Sequence, residues 1–596
     1  MQRFLLKIIS LPLKLIKSLK FVGVKRTFAA AKYRLKGASG DPYGVWMKYN
    51  VPTNRELKQQ RGRTFAHSPL ISIVLPAKNA DAESVRDIAN CFINQTYSNW
   101  ELYIEDCGDK PCDGIENAFK SDNRIKYRYT PDSGFPECIN RAFSSADGEY
   151  FGIVNYGDLL SVDCLFETVK AINEAPAADL IYTDSDEFNA DENSRFDPCF
   201  KPDFGIDTLR SKNYVSQFSL FSKRVFKEVG GIRPHYYEPS GYDLIIRIAE
   251  IAKSIKHVPK VLYHVGSGKP SFELEKTCSE ICLAVLKDHL LRVGLKGEVS
   301  GGAAEGTYRI DYELSDKPKV TVLIPNCNQA DTLKTCVNSV LELTTYGNYE
   351  IVIIENNSTK RSAFDYYESL KDNNRIKVLY YPEKGFNYSK IINYGVENSD
   401  GEYIVQLNND TKLLTPDWLE IMVGMCKRPD VGCVGVKLYY PDMTVQHAGV
   451  VIGIGGGASH VFKGLNRNER GYMDFENVIR NVTAVTAACM MTKRSVFLEV
   501  GCMEEKLAVA FNDVDYCMKV VKSGRLVIYN PFVELLHYES KSRGVEDTFA
   551  KELRFYKEVR FFIDRWRDEL KSGDRYYNPN LRLDTDKCEI KEEKVN

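Results

Sequence analysis

Short β-branched runs alternate with helical patterns along most of this chain. Ile71–Leu75 is followed by the helical spacing of Ala82–Asn94 and then by Trp100–Ile104. Val320–Ile324, Ala330–Leu343 and Tyr349–Ile354 repeat that order. Strand–helix–strand order predicts an α/β chain whose mostly parallel sheets carry helices on both faces. In such sheets ligands sit beyond the carboxyl ends of the strands. Here those ends are polar: Asn326 and Asn328, Glu355-Asn-Asn-Ser358, and Asn408-Asn-Asp410. They are expected to converge on one crevice. Near the end of the chain, Leu553, Tyr556, Val559, Phe562, Ile563 and Trp566 recur at helical spacing, predicting an amphipathic helix over Phe549–Leu570.

The pattern is written twice. Ile71-Ser-Ile-Val-Leu-Pro-Ala-Lys-Asn79 returns as Val320-Thr-Val-Leu-Ile-Pro-Asn-Cys-Asn328. Gly148-Glu-Tyr150 returns as Gly401-Glu-Tyr403, and Val225-Phe-Lys-Glu-Val-Gly230 as Val496-Phe-Leu-Glu-Val-Gly501. A period of about 250 residues is far too long for a solenoid unit and means two copies of one domain. The expected organisation is a basic segment with lead-in helices over 1–69, a first domain over 70–296 and a glycine-rich linker over 297–316. A second domain over 317–580 and a loose, charged tail over 581–596 complete it.

Composition narrows the picture at one end only. The net charge of −1 argues against a general nucleic-acid binder. From Met1 to Gly40, however, there is no acidic residue, and lysines and arginines interrupt an apolar stretch every few positions. No run of roughly 20 apolar residues exists there to span a bilayer. Two readings stand: a basic amphipathic helix over 1–36 lying on an anionic membrane face, or a helix packed on the protein with a solvated basic side. The 16 cysteines show no paired metal spacing and read as reduced thiols of a cytoplasmic protein.

Three stretches of the second copy carry chemistry. Asn408-Asn409-Asp410 closes a strand, where a carboxylate flanked by amides suits a hard cation bound to phosphate oxygens, or simply an Asx turn. Asn512-Asp513-Val-Asp515 opens a helix. Asp515 is read there as the acid favoured by the helix dipole, which leaves Asp513 to face the crevice as a base, or else both acids cap the helix. His537-Tyr-Glu-Ser540-Lys-Ser-Arg543 follows a strand; the histidine suits a metal, and Ser540 with Arg543 suits a phosphate. Gly453-Ile-Gly-Gly-Gly457 opens no helix after a first strand and is not a dinucleotide fingerprint. It reads as a mobile loop, with His447 and His460 as loop residues of no fixed role.

Together these stretches resemble the inverting nucleotide-sugar transferases of glycosyltransferase family 2, which have the GT-A fold. The resemblance implies two tandem GT-A domains over nearly all of 70–580. It implies that Pro325, Asn328, Glu355, Asn357, Asn387, Asn408, Asn409, Ser540 and Arg543 contact the donor. Asp410 and His537 would hold Mg²⁺ or Mn²⁺, and Asp513 would be the catalytic base. The family's Asp-x-Asp is here Asn408-Asn409-Asp410, with one carboxylate replaced by an amide. In the first copy the alignment sets Asn155-Tyr156-Gly157 against Asn408-Asn409-Asp410, Gly241 against Asp513, Asp243 against Asp515, and His264 against His537. The first domain therefore reads as degenerate, unless Asp158, Asp184 or Asp186 substitutes as metal ligand. The implied activity is transfer of a sugar to a growing, lipid-linked cell-surface polysaccharide at the inner face of the cell membrane. A two-site polymerase and a non-catalytic glycan-binding scaffold are the alternatives.

Overall fold

A computed structural model describes residues 40–131, 133–237, 241–266, 272–539 and 549–595. The chain divides into two compact units. The N-terminal unit holds Tyr43–Ile310, Asn578–Asn580 and the residues from Glu592 on; the C-terminal unit holds Asp311–Tyr577 and Leu581–Lys591.

In the N-terminal unit the strands are β1 (Ile71–Ala77), β2 (Trp100–Asp106), β3 (Ile125–Tyr129), β4 (Tyr150–Ile153), β5 (Leu159–Leu160), β6 (Leu180–Asn189), β7 (Ser194–Cys199), β8 (Ser219–Ser222) and β9 (Ile255–Gly266). They form one sheet in the order β3-β2-β1-β4-β8-β6-β9-β5, with β7 on β6. β3, β2, β1 and β4 are parallel, as helical crossovers between successive strands require. Every residue of β1 and β2 is buried, including Ser72 of β1 and Glu101, Glu105 and Asp106 of β2.

The C-terminal unit repeats this design. After the hairpin β10 (Gly297–Gly301) and β11 (Tyr308–Tyr312) come β12 (Val320–Asn326), β13 (Tyr349–Glu355), β14 (Ile376–Tyr380), β15 (Tyr403–Leu407), β16 (Thr411–Leu413), β17 (Val431–Tyr439), β18 (Val445–His447), β19 (Val450–Ile452), β20 (Ala458–His460), β21 (Arg480–Asn481), β22 (Cys489–Lys493) and β23 (Leu526–His537). The sheet order β14-β13-β12-β15-β22-β17-β23-β16 matches the first sheet strand for strand. The register matches too: Ile71 pairs Tyr150 as Val320 pairs Tyr403. The repeated Gly-Glu-Tyr has a steric cause. A Cβ on Gly148 would lie 2.2 Å from Ser72 Oγ, and one on Gly401 would lie 2.4 Å from Thr321 Oγ1. Each glycine N–H donates to that same hydroxyl. Two tandem GT-A domains are thus the architecture observed.

Three expectations change. The stretch 297–316 is not a slack linker: two strands of it pair as β10–β11. Residues 581–596 are not loose throughout, because Leu581 bridges Ile590 and both Leu581 and Cys588 are buried. The C-terminal helix runs Phe549–Arg565 and restarts at Arg567–Ser572, with Trp566 buried at the break. Among the described residues no helix is long and apolar enough to cross a membrane. The segment 1–36 lies outside the described residues.

Candidate active site

In the C-terminal unit β15 ends at Leu407, and the next three residues swing the chain into β16. β16 runs antiparallel to β23 and pairs Thr411 with His537. This register sets Asp410 beside the histidine, with His537 Nε2 3.1 Å from Asp410 Oδ1. The other ring nitrogen, Nδ1, lies 2.6 Å from Gln446 Oε1. An amide oxygen only accepts, so Gln446 fixes a proton on Nδ1 and leaves Nε2 to face the carboxylate. Nε2 and the carboxylate are placed to share either a proton or a cation. Asn408 Nδ2, 3.3 Å from Nε2, supplies a weaker donor in the same place. These groups fit a divalent ion with two protein ligands and open positions for phosphate oxygens. Among the described residues no cluster of three or more His, Cys, Asp or Glu side chains forms a complete metal cage.

Asp513 opens onto a cleft of about 350 Å³ that Pro325, Asn408, Asn409, Ala487 and Asn512 also line. The helix Asn512–Lys522 begins after Phe511, whose φ of 61° turns the chain sharply. Asp513 Oδ2 accepts from the Ala487 N–H at 3.1 Å and Oδ1 from the Val514 N–H at 2.9 Å, so backbone donors fix the carboxylate at the cleft wall. Asp515 does something else. It is fully buried, accepts from Trp566 Nε1 at 2.8 Å, and lies 3.3 Å from Arg565 Nε. Burial pushes its carboxyl pKa up. Its position in the first helical turn is as expected, but its bonds tie the C-terminal helix to the domain. Trp566→Phe should keep the apolar contacts, remove the donor, and cost about 1–3 kcal/mol in urea unfolding.

The remaining sequence candidates divide. Pro325, Asn408 and Asn409 line the cleft, and Asn409 Nδ2 donates to Asn326 Oδ1 at 2.6 Å. Glu355 is buried at the end of β13, where its carboxylate accepts from the Ser358 hydroxyl and the Tyr367 hydroxyl. Asn328 has a φ of 57°, and its side-chain oxygen accepts from the N–H groups of Thr359 and Lys360. Asn357, also left-handed, donates to the Glu383 carbonyl. Asn387 caps the helix Tyr388–Glu397 and donates to the Glu505 carbonyl. Ser540 and Arg543 lie outside the described residues. Sequence reasoning passed over Lys551 and Arg554, one turn apart on the C-terminal helix, which line the cleft and bring positive charge to it. It also passed over Gln446.

The N-terminal unit places its acids differently. β5 pairs with β9 so that Leu159 faces His264, as Thr411 faces His537. Asp158, not Gly157, therefore occupies the position of Asp410. The segment from β4 to β5 is one residue longer than its counterpart, which shifts a linear alignment by one. Asp158 is nonetheless committed. It accepts from the Tyr263 hydroxyl at 2.6 Å and the Gly266 N–H at 2.9 Å, and burial pushes its pKa up. Asp186 takes His264 Nδ1 and Arg195 Nε. Asp184 takes the Lys201 N–H, His257 and Asn578. The base is missing as well. Arg247 donates to the carbonyls of Val229 and Gly231, while Lys519 donates to those of Gly501 and Cys502. That shared latch equates Asp243 with Asp515 and hence Gly241 with Asp513. Asp243 is held by Arg233 and Arg247. The crevice beside Gly241 measures about 70 Å³.

Comparison with known proteins agrees with this duplication. The sequence model described as Glycosyl transferase family 2 matches residues 72–230 and 321–501. The protein y4gI of Sinorhizobium fredii (strain NBRC 101917 / NGR234) is 36% identical over 88% of this chain and 58% of its own length. The O-antigen biosynthesis protein RfbC of Myxococcus xanthus is 31% identical over 92% of this chain and 43% of its own. The chain thus spans about half the length of these curated relatives. Among solved structures, the mannosyltransferase PcManGT from Pyrobaculum calidifontis, in complex with GDP-Man and Mn²⁺, is 17% identical. It aligns over 43% of this chain and 65% of its own, with a TM-score of 0.32. On the two matched stretches, the chain belongs to glycosyl transferase family 2 and carries the family's domain twice.

Proposed function

We propose that the C-terminal unit is an inverting glycosyltransferase and that the N-terminal unit is not catalytic. One contrast carries this reading. The C-terminal cleft is lined by Asp513 and by the strand end that leads to Asp410 and His537; the counterparts in the other unit are Gly241 and a carboxylate already bound by Tyr263. The reaction is a single displacement. An acceptor hydroxyl attacks the anomeric carbon of a nucleotide-sugar, its proton passes to Asp513, and the bond to the diphosphate breaks on the opposite face. Asp410 and His537 would hold Mg²⁺ or Mn²⁺, which when bound offsets the charge building on the leaving diphosphate. The basic side chains of Lys551 and Arg554 lie along the same cleft and add to that field.

The test uses the full chain and a panel of UDP-, GDP- and dTDP-hexoses, reading nucleoside diphosphate release with and without glycan acceptors. Asp158→Asn should leave turnover unchanged and Asp513→Asn should remove it. Equal losses would favour a two-site polymerase. No turnover by the unaltered protein with any donor would favour a binding scaffold.

We infer further that the acceptor is a growing cell-surface polysaccharide on a lipid carrier. The support is the O-antigen biosynthesis role that the Myxococcus relative is named for, together with the acid-free basic segment 1–36. That segment would hold the protein at the inner, anionic face of the cell membrane. Deleting 1–36 should abolish co-sedimentation with anionic phosphatidylglycerol vesicles while leaving turnover on a soluble acceptor. Unchanged sedimentation would remove the membrane from the reading.

A further inference from the structure

Two histidines that the sequence left without a role form a built pair on β18 and β20. His447 ends β18 and is fully buried; His460 ends β20 and is half-buried. Their Nδ1 atoms are 2.7 Å apart and their rings stand edge to face. Both ends of the catalytic apparatus touch the elements that carry them. Gln446, adjacent to His447, holds His537. Gly457, three residues before His460, lies so close to Phe511 that a Cβ there would be 3.2 Å from the ring, and Phe511 precedes Asn512 and Asp513. His460 feels the charge of both Asp513 and His537. The loop between is no mobile flap: Gly455 N–H donates to the Leu583 carbonyl and Phe462 N–H to that of Asp586.

The pair also fixes its own protons. Burial, then the neighbouring His460 and Arg480, push His447 far below the usual imidazole range, so it is neutral. Its Nε2 has no hydrogen-bond partner, and Arg480 lies nearby with Nη2 on the Ala448 carbonyl. A bare lone pair in the field of a guanidinium is favoured over an unbonded N–H in that field. His447 therefore donates from Nδ1, His460 Nδ1 accepts, and the neutral His460 carries its proton on Nε2.

We propose that His460 donates this Nε2–H to a hydroxyl of the transferred sugar, which must lie between the diphosphate held near Asp410 and His537 and the proton acceptor Asp513. The proposal rests on the reading of the cleft given above. A site built to hydrogen-bond a substrate hydroxyl loses binding when the donor is removed. His460→Ala should lower kcat/KM for the nucleotide-sugar by about 10–100-fold. Inhibition by the bare nucleoside diphosphate should stay within about twofold, because the contact is to the sugar. His460→Gln, whose Nε2 restores a donor at the same reach, should recover most of the loss. Independently of turnover, nitrogen NMR of the imidazoles should find His460 protonated on Nε2 and His447 on Nδ1. Full kcat/KM in His460→Ala, a loss that glutamine does not relieve, or a His460 proton on Nδ1 would each overturn the proposal. Asp513→Asn run alongside separates the two levels. If it too keeps full turnover, the reading of the cleft fails; if it is silent while His460→Ala is fully active, only this inference does.

Discussion

Asp513→Asn should lower glycosyl transfer by about 10²–10⁴-fold, the range a positioned general base contributes. The change is nearly isosteric. The side-chain oxygen that remains can still accept from the Ala487 or the Val514 N–H, both within 3.1 Å. Urea unfolding should therefore move little, and the KM for the nucleotide-sugar should stay close to that of the parent. What is lost is the capacity to take a proton while the acceptor oxygen bonds to the anomeric carbon. A steady-state experiment at saturating donor, with the acceptor varied, reads this as a fall in kcat. Activity within threefold of the parent would remove Asp513 from the chemistry. It would send the search for a base to the other titratable groups of the unit, Asp410 and His537 first.

The repeat itself was legible because strand burial and strand ends are local properties. Ile71–Ala77 and Val320–Asn326 are buried almost throughout, and a short β-branched run with no polar face reads as a central strand. The polar ends Asn408 to Asp410 and the helix start at Asp513 were legible for the same reason. What escaped the sequence is register. Asp158 aligns with Thr411 along the chain yet lies opposite His264's strand as Asp410 lies opposite His537's. One inserted residue before β5 makes the difference, and a one-residue slip turns a strand's side chains to the other face. Asp515 escaped in a second way. Its distance from Asp513 said that the two acids have different jobs, but its partner Trp566 is 51 positions away, beyond the reach of helix-cap reasoning. The hairpin β10–β11 and the buried Cys588 escaped because glycine-rich or charged composition does not exclude pairing or burial.

The second large effect is expected at the cation. In Asp410→Ala the only carboxylate of the pair goes, and His537 alone is a poor ligand for a hard ion that prefers oxygen. Mn²⁺ binding in the presence of nucleoside diphosphate, followed by electron paramagnetic resonance, should become undetectable at concentrations that saturate the parent. Transfer should fall with it. Gln446→Leu makes the sharper test, because Gln446 faces His537 Nδ1 and no reading of the site uses it otherwise to touch the ion. Removing the group that holds a ligand histidine in one tautomer typically weakens metal affinity by 10–100-fold. The imidazole freed by Gln446→Leu can move its proton to Nε2 and donate to Asp410 Oδ1, 3.1 Å away, closing the pair on itself. In the N-terminal unit the corresponding groups are likewise taken up within the protein, though by other partners: Asp158 by Tyr263 and His264 by Asp186. If Gln446→Leu binds Mn²⁺ as tightly as the parent, the orientation of His537 is not what makes the pair a metal site. The difference between the two units would then rest on the carboxylate alone.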